Sequence, residues 1–174
     1  MVRTPLKVFI AVGLLLSVVT PVLGQAPVLR SANHDYRVVK VADGLITPWS
    51  MAFLPGGDML ITERPGRLRL VRNGVLCMAP IEGVPEVLVQ GQGGLFDVVL
   101  HPDFESNQLV YLSYAKPIGD GTEATTAVAR GRFENDRLTD VEDIFVAESR
   151  GRPGHYGARL AFDEEGYLFV TVGD

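Results

Sequence analysis

Cysteine is nearly missing from this chain: Cys77 is the only one, so no internal disulfide can form and a disulfide scaffold is excluded. Basic charge is also scarce. Sixteen Lys and Arg stand against 21 Asp and Glu, a net charge of −5. An acidic domain repels phosphate backbones, so nucleic acid is not an expected partner. Zinc-ligand spacing, a P-loop and a dinucleotide fingerprint are lacking, and Gly91-Gln92-Gly93-Gly94 does not lead into a helical pattern. The acidic stretches Asp163-Glu164-Glu165 and Asp140 to Asp143 lack the alternating oxygen ligands and glycine of an EF-hand loop. Beyond the N-terminus no segment is apolar enough to span a bilayer, and no window keeps a helical period. Stability must come from packing or from a metal.

The N-terminus reads as a leader. Arg3 and Lys7 precede an apolar run from Val8 to Val19, Pro21 breaks it, and Val22-Leu23-Gly24 suits cleavage. That is the three-part layout of a secretory signal peptide over residues 1–24. The run is shorter than the roughly 20 residues of a membrane span. The expectation is an exported protein, periplasmic or secreted, without stable membrane insertion. Losing Arg3 and Lys7 takes the net charge from −5 to −7. Residues 25–36 form a polar lead-in that carries His34, which sits in no motif. At the other end Leu168 to Val172 reads as a strand and Gly173-Asp174 as the loop after it, so the pattern is expected to continue in a longer protein.

Between the ends, strand follows strand. Trp49–Leu54, Met59–Thr62 and Arg67–Arg72 are short apolar or β-branched runs, separated by Pro55-Gly56-Gly57-Asp58 and Pro65-Gly66 and closed by Asn73-Gly74. These are turn residues, and Asn-Gly between strand-like runs is a strong hairpin signal. Phe96–Leu100, Leu109–Tyr114, Thr126–Phe133, Ile144–Ala147, Arg159–Phe162 and Tyr167–Val172 continue the series. The chain is expected to be all-β. A strand-turn-strand unit recurs, with Phe53, Leu100 and Phe162 in equivalent places 47 and 62 residues apart. Propeller blades repeat at about 40–50 residues, so the spacing suits blades with loop insertions. A sandwich would not repeat a motif at such intervals. We therefore read residues 37–174 as a partial β-propeller, its first two to three blades. On that reading the loops before Leu95–Leu100 and Arg159–Phe162 bring Gln92 and His155 to one mouth.

Taken singly, the candidate residues leave two readings open. His155, in a flexible loop, has the imidazole of a general base; it could equally pack on Tyr156. Gln92, between Gly91 and Gly93, offers an amide that both donates and accepts, which suits a hydroxylated ligand; it could equally be a solvated turn residue. His101 opens His101-Pro102-Asp103-Phe104, read as a structural turn with Asp103 as cap and Phe104 as core plug. Glu63, Arg64 and Arg67 read as a charged hairpin with an exposed ion pair worth about 0–1 kcal/mol.

Together these pieces resemble the soluble PQQ-dependent sugar dehydrogenases of the glucose/sorbosone dehydrogenase family, in particular the aldose sugar dehydrogenase branch. The resemblance rests on Pro48-Trp49-Ser50-Met51-Ala52-Phe53-Leu54-Pro55 and Leu60-Ile61-Thr62-Glu63-Arg64-Pro65-Gly66-Arg67. It extends over Gly91-Gln92-Gly93-Gly94-Leu95-Phe96-Asp97-Val98 with His101-Pro102-Asp103-Phe104, and over Thr126-Ala127-Val128-Ala129-Arg130. His155-Tyr156-Gly157-Ala158-Arg159-Leu160 and Val172-Gly173-Asp174 complete it. It implies a six-bladed propeller that binds PQQ and calcium and oxidises aldoses to lactones. His155 is then the general base that assists hydride transfer to the quinone, and Gln92 contacts the sugar. The family's cofactor-binding groups and calcium ligands lie in later blades, so no residue here is assigned to metal or cofactor, the electron acceptor is not identified, and the chain alone is expected to be inactive. Gly154 stands where glucose-specific members carry an acidic residue, which implies a broader aldose range. Two other classes share the blank: a non-catalytic binding propeller, as in hedgehog-binding relatives, and a calcium-dependent propeller lactonase.

Overall fold

The structure is a computed structural model that describes residues 26–149 and 154–173. The signal-peptide reading and Arg152, Pro153 and Asp174 lie outside the described residues. Two units separate, 1–39 and 40–174. In the first, β1 (Val28–Arg30) pairs antiparallel with β2 (Asp35–Arg37). Ser31 closes that hairpin, its hydroxyl donating to the His34 carbonyl at 2.6 Å.

The second unit is built from consecutive antiparallel strands. β3 (Pro48–Phe53), β4 (Met59–Glu63), β5 (Arg67–Arg72) and β6 (Val75–Leu76) form one four-stranded sheet in chain order. Its turns follow the chemistry of the sequence: between β5 and β6, Asn73 and Gly74 both take positive φ, 51° and 75°, as a tight hairpin requires. β7 (Leu95–Leu100), β8 (Leu109–Ile118), β9 (Glu123–Glu134) and β10 (Arg137–Val146) form a second sheet of the same order. β11 (Gly157–Phe162) and β12 (Leu168–Val172) begin a third. The expected all-β partial propeller is what forms. Sequence reading missed β1, β2 and β6, which are too short to carry a pattern, and started β10 seven residues late.

A single helical turn, α1 (Phe104–Asn107), interrupts the strands. Phe104 plugs the core as expected. Asp103 does not cap through its side chain; the His101 ring accepts the Asp103 N–H at 3.0 Å instead. His101 also packs against Phe162, with ring centroids 5.6 Å apart, and so belongs to the contact between sheets.

The sheets stack face to face. Leu54, Leu60, Leu68 and Leu70 of the first interlock with Leu95, Val98, Leu112 and Tyr114 of the second. Tyr111 and Val128 of the second take Leu160, with Phe162 and Leu168 beside it. The leading strands β3, β7 and β11 meet at matching levels. Trp49 lies 5.6 Å from Phe96 near the strand starts, Ser50 bonds Asp97 one residue on, and His101 meets Phe162 at the far end. The three strands therefore run in one sense, and the loops that enter them share one end of the unit.

Glu63 departs from expectation. Read as half of an exposed ion pair, it is fully buried, because all five residues of β4 are. Its carboxylate accepts from the Ile46 N–H at 2.5 Å, Arg67 Nε at 2.6 Å and Arg69 Nη1 at 3.3 Å. Burial pushes the Glu63 carboxyl up, but these donors outweigh it and hold the group below its usual range. A lowered folded-state pKa gives stability that is present above the unfolded value of about 4.3 and lost as pH falls through the folded one. Urea unfolding between about pH 6 and pH 3 should show the parent losing more stability than Glu63→Gln. Equal losses would contradict this.

Candidate functional site

The loop that enters β7 carries Gln92. A tight turn closes where Gly93 N–H donates to the Gln90 carbonyl at 2.7 Å. Arg64 then fixes the loop from the side: its Nε donates to the Gly93 carbonyl at 2.9 Å and its Nη2 to the Gly91 carbonyl, one on each side of Gln92. Gly94 has no room for a side chain, since a Cβ there would sit 2.4 Å from the Arg64 carbonyl oxygen. The glycine-rich spelling thus reflects a close backbone crossing as much as a turn.

The loop that enters β11 carries His155. Its φ of 51° lies in the left-handed region, which costs a non-glycine residue about 1–2 kcal/mol. The surroundings hold it there. Gln92 Oε1 accepts the His155 N–H at 3.0 Å. The following carbonyl, of Tyr156, accepts from Thr126 Oγ1 at 2.8 Å and from Gly173 N–H at 3.2 Å. Gly173 passes so close that a Cβ would fall 1.1 Å from the His155 carbonyl oxygen. The structure therefore brings the two candidate residues together, from different sheets, and both are exposed.

The amide is polarised in a useful way. Its oxygen is occupied by the His155 backbone, which leaves its N–H groups as the donors turned to other partners.

Beneath the mouth is an aromatic row. Trp49 meets Phe96 at 5.6 Å, and Phe96 meets Tyr156 at 5.1 Å. Burial pushes the Tyr156 hydroxyl up, and it has no hydrogen-bond partner among the described residues. Beside the row the Arg159 guanidinium lies 5.5 Å over the Trp49 ring and 3.3 Å from Asp97 Oδ1. A cleft of about 500 Å³ opens there between Trp49, Ser50, Met51, Ile61 and Arg159. Its lining does not include Gln92 or His155.

Asp97 is what sequence reading passed over. The carboxylate is fully buried, yet it ties all three leading strands together. Oδ1 accepts from Ser50 Oγ on β3 at 2.5 Å, and Oδ2 accepts from Leu160 N–H on β11 at 2.8 Å. Ser50, Asp97 and Arg159 each stand three residues before Phe53, Leu100 and Phe162. A polar residue repeated at one register of apolar strands was the signal available. Arg64 left no such signal, because its role depends on a loop 27 residues away.

Neither implied cofactor is held by these residues alone. A tricarboxylate quinone needs several cations, whereas Arg159, the cation beside the cleft, is already matched by Asp97. Among the described residues no three His, Cys, Asp or Glu side chains gather as a metal site. What Gln92 offers by itself is an amide N–H donor.

Stacked antiparallel blades whose leading loops bring the Gln92 amide against the His155 backbone define a propeller with a polar mouth. Comparison with known proteins makes this specific. The family model "Glucose / Sorbosone dehydrogenase" matches residues 45–174. The chain belongs to the glucose/sorbosone dehydrogenase family. It is 42% identical over 158 residues to the aldose sugar dehydrogenase YliI of Escherichia coli, covering 88% of this chain and 42% of that protein. A glucose dehydrogenase crystal structure superposes with a TM-score of 0.73 at 47% identity, over 78% of this chain and 40% of the other. The PQQ-bound aldose sugar dehydrogenase of Streptomyces coelicolor gives 0.65 at 28% identity, over 84% and 41%. The chain spans about two fifths of the length of these relatives.

Proposed function

We propose that this chain supplies the general base and part of the sugar pocket of a PQQ-dependent aldose dehydrogenase. The observation that carries the reading is the 3.0 Å hydrogen bond between Gln92 Oε1 and the His155 backbone, which joins the mouths of two blades. His155 takes the proton from the anomeric hydroxyl of the sugar, and the amide N–H groups of Gln92 hold a neighbouring hydroxyl. The quinone, when bound, supplies the hydride acceptor. Asp97 and Arg64 set the two loops without touching the sugar. Support comes from relatives named as aldose and glucose dehydrogenases and from the PQQ-bound neighbour. Calcium, export to the periplasm through residues 1–24, and a broad aldose range set by Gly154 are further parts of the proposal. Among the described residues no helix is long and apolar enough to cross a membrane.

The test is a chimera in which residues 40–174 replace the matching stretch of the E. coli relative. Loaded with PQQ and calcium, it should reduce a dye when given aldoses, while residues 25–174 alone should not. A correctly folded, PQQ-loaded chimera that oxidises no aldose would contradict the reading.

A further inference from the structure

Arg64, Ala115 and Gly173 stand at matching places toward the mouth end of β4, β8 and β12, and their backbones do the same work. Arg64 N–H donates to the Thr47 carbonyl at 3.0 Å, Ala115 N–H to the Gly94 carbonyl at 2.9 Å and Gly173 N–H to the Tyr156 carbonyl at 3.2 Å. An alanine and a glycine suffice for that bond, so the arginine side chain has separate work. It is not an ion pair within the described residues. There, every other Lys and Arg of 40–174 meets a carboxylate, and Arg64 meets carbonyls.

The path of the side chain is built for those carbonyls. It crosses Gly94, where an added Cβ would lie 2.6 Å from Arg64 Cγ. Beyond the crossing, Nη2 takes the Gly91 carbonyl and Nε takes the Gly93 carbonyl at 2.9 Å. The Gly91 bond fixes the peptide before Gln92. Gly93 N–H, held on the Gln90 carbonyl at 2.7 Å, fixes the peptide after it. Gln92 therefore leaves the backbone in a set direction, and its Oε1 reaches the His155 N–H, 63 residues on, at 3.0 Å.

We propose that Arg64 is a positioning residue for the mouth. From the first blade it sets the Gln92 amide and, through that amide, the His155 backbone at the entry to the third. The guanidinium fork carries this role, because it spans two carbonyls in one plane; a lysine ammonium is a single point and cannot. The effect on catalysis rests on the reading of Gln92 and His155 as the sugar site. The effect on the His155 backbone does not.

The experiment uses the chimera, with each variant checked by circular dichroism for native fold. Loaded with PQQ and calcium, Arg64→Met should lower kcat/KM for aldoses by roughly tenfold to a hundredfold, the scale of a misplacement near 1 Å. On a Gln92→Leu background the same change should cost less than about twofold, since the two residues act in series. Hydrogen exchange of the His155 N–H, read by NMR, bypasses catalysis. It should speed up in Arg64→Met about as much as in Gln92→Leu. Arg64→Lys keeps the charge without the fork and should stay closer to Arg64→Met than to the parent in both measurements. Parent-like exchange at His155 in Arg64→Met overturns the proposal. So does full recovery by Arg64→Lys, or a loss in kcat/KM that persists undiminished beside Gln92→Leu. A chimera that oxidises no aldose removes the catalytic reading and leaves the exchange result to decide on Arg64.

Discussion

His155→Ala in the chimera should lower turnover with aldoses by about 10²–10⁴-fold, the usual contribution of a positioned base. The reason lies in how the His155 backbone is held. Its N–H is fixed on Gln92, and it keeps a left-handed conformation where Gly173 passes close to its carbonyl. The loss should fall on turnover, with little change in folding, because the ring is exposed and its removal leaves no core cavity. Steady-state dye reduction with PQQ saturating reads it. Unchanged turnover would remove His155 from the role of base.

Asp97→Ala should be strongly destabilising, at about 2–4 kcal/mol, because buried N–H donors lose their acceptor while the ion-pair partner Arg159 is largely exposed. Four groups lose their acceptor at once: Ser50 Oγ, the Val98 and Leu160 N–H groups, and the Arg159 guanidinium. Two of them, the Val98 and Leu160 N–H groups, lie out of water, where an unpaired donor is costly. Asp97→Asn keeps the shape and one acceptor oxygen, so it should lose less. Urea denaturation of residues 25–174 separates the two variants. Were Asp97→Ala to unfold at the parent's midpoint, the carboxylate would have no part in joining the blades.

The strand order and the meeting of Gln92 with His155 were legible because local signals agreed with global ones. Turn residues fixed the hairpins, and the recurrence of Phe53, Leu100 and Phe162 gave the blade period, which then sets which loops share an end. Glu63 was misread for a physical reason. Next to Arg64 and Arg67 a carboxylate looks solvated, and only the tertiary fold reveals that the Ile46 N–H and Arg69 approach it from elsewhere. Arg64 was invisible for the same reason, since its two carbonyl partners lie on a distant loop. The hydroxyls Thr62 and Ser113 were present in the aligned repeats. Their meaning emerges only when their carbonyl acceptors, Phe96 and Ala158, are seen to lie in the next blade.

Turnover of Gln92→Leu and His155→Ala, measured singly and together in the chimera, tests the shared mouth most directly. Because the amide holds the His155 loop as well as the sugar, Gln92→Leu should lower turnover more in the parent than once His155 is gone. Losses that multiply in full, as for two residues acting at separate places, would contradict a shared site.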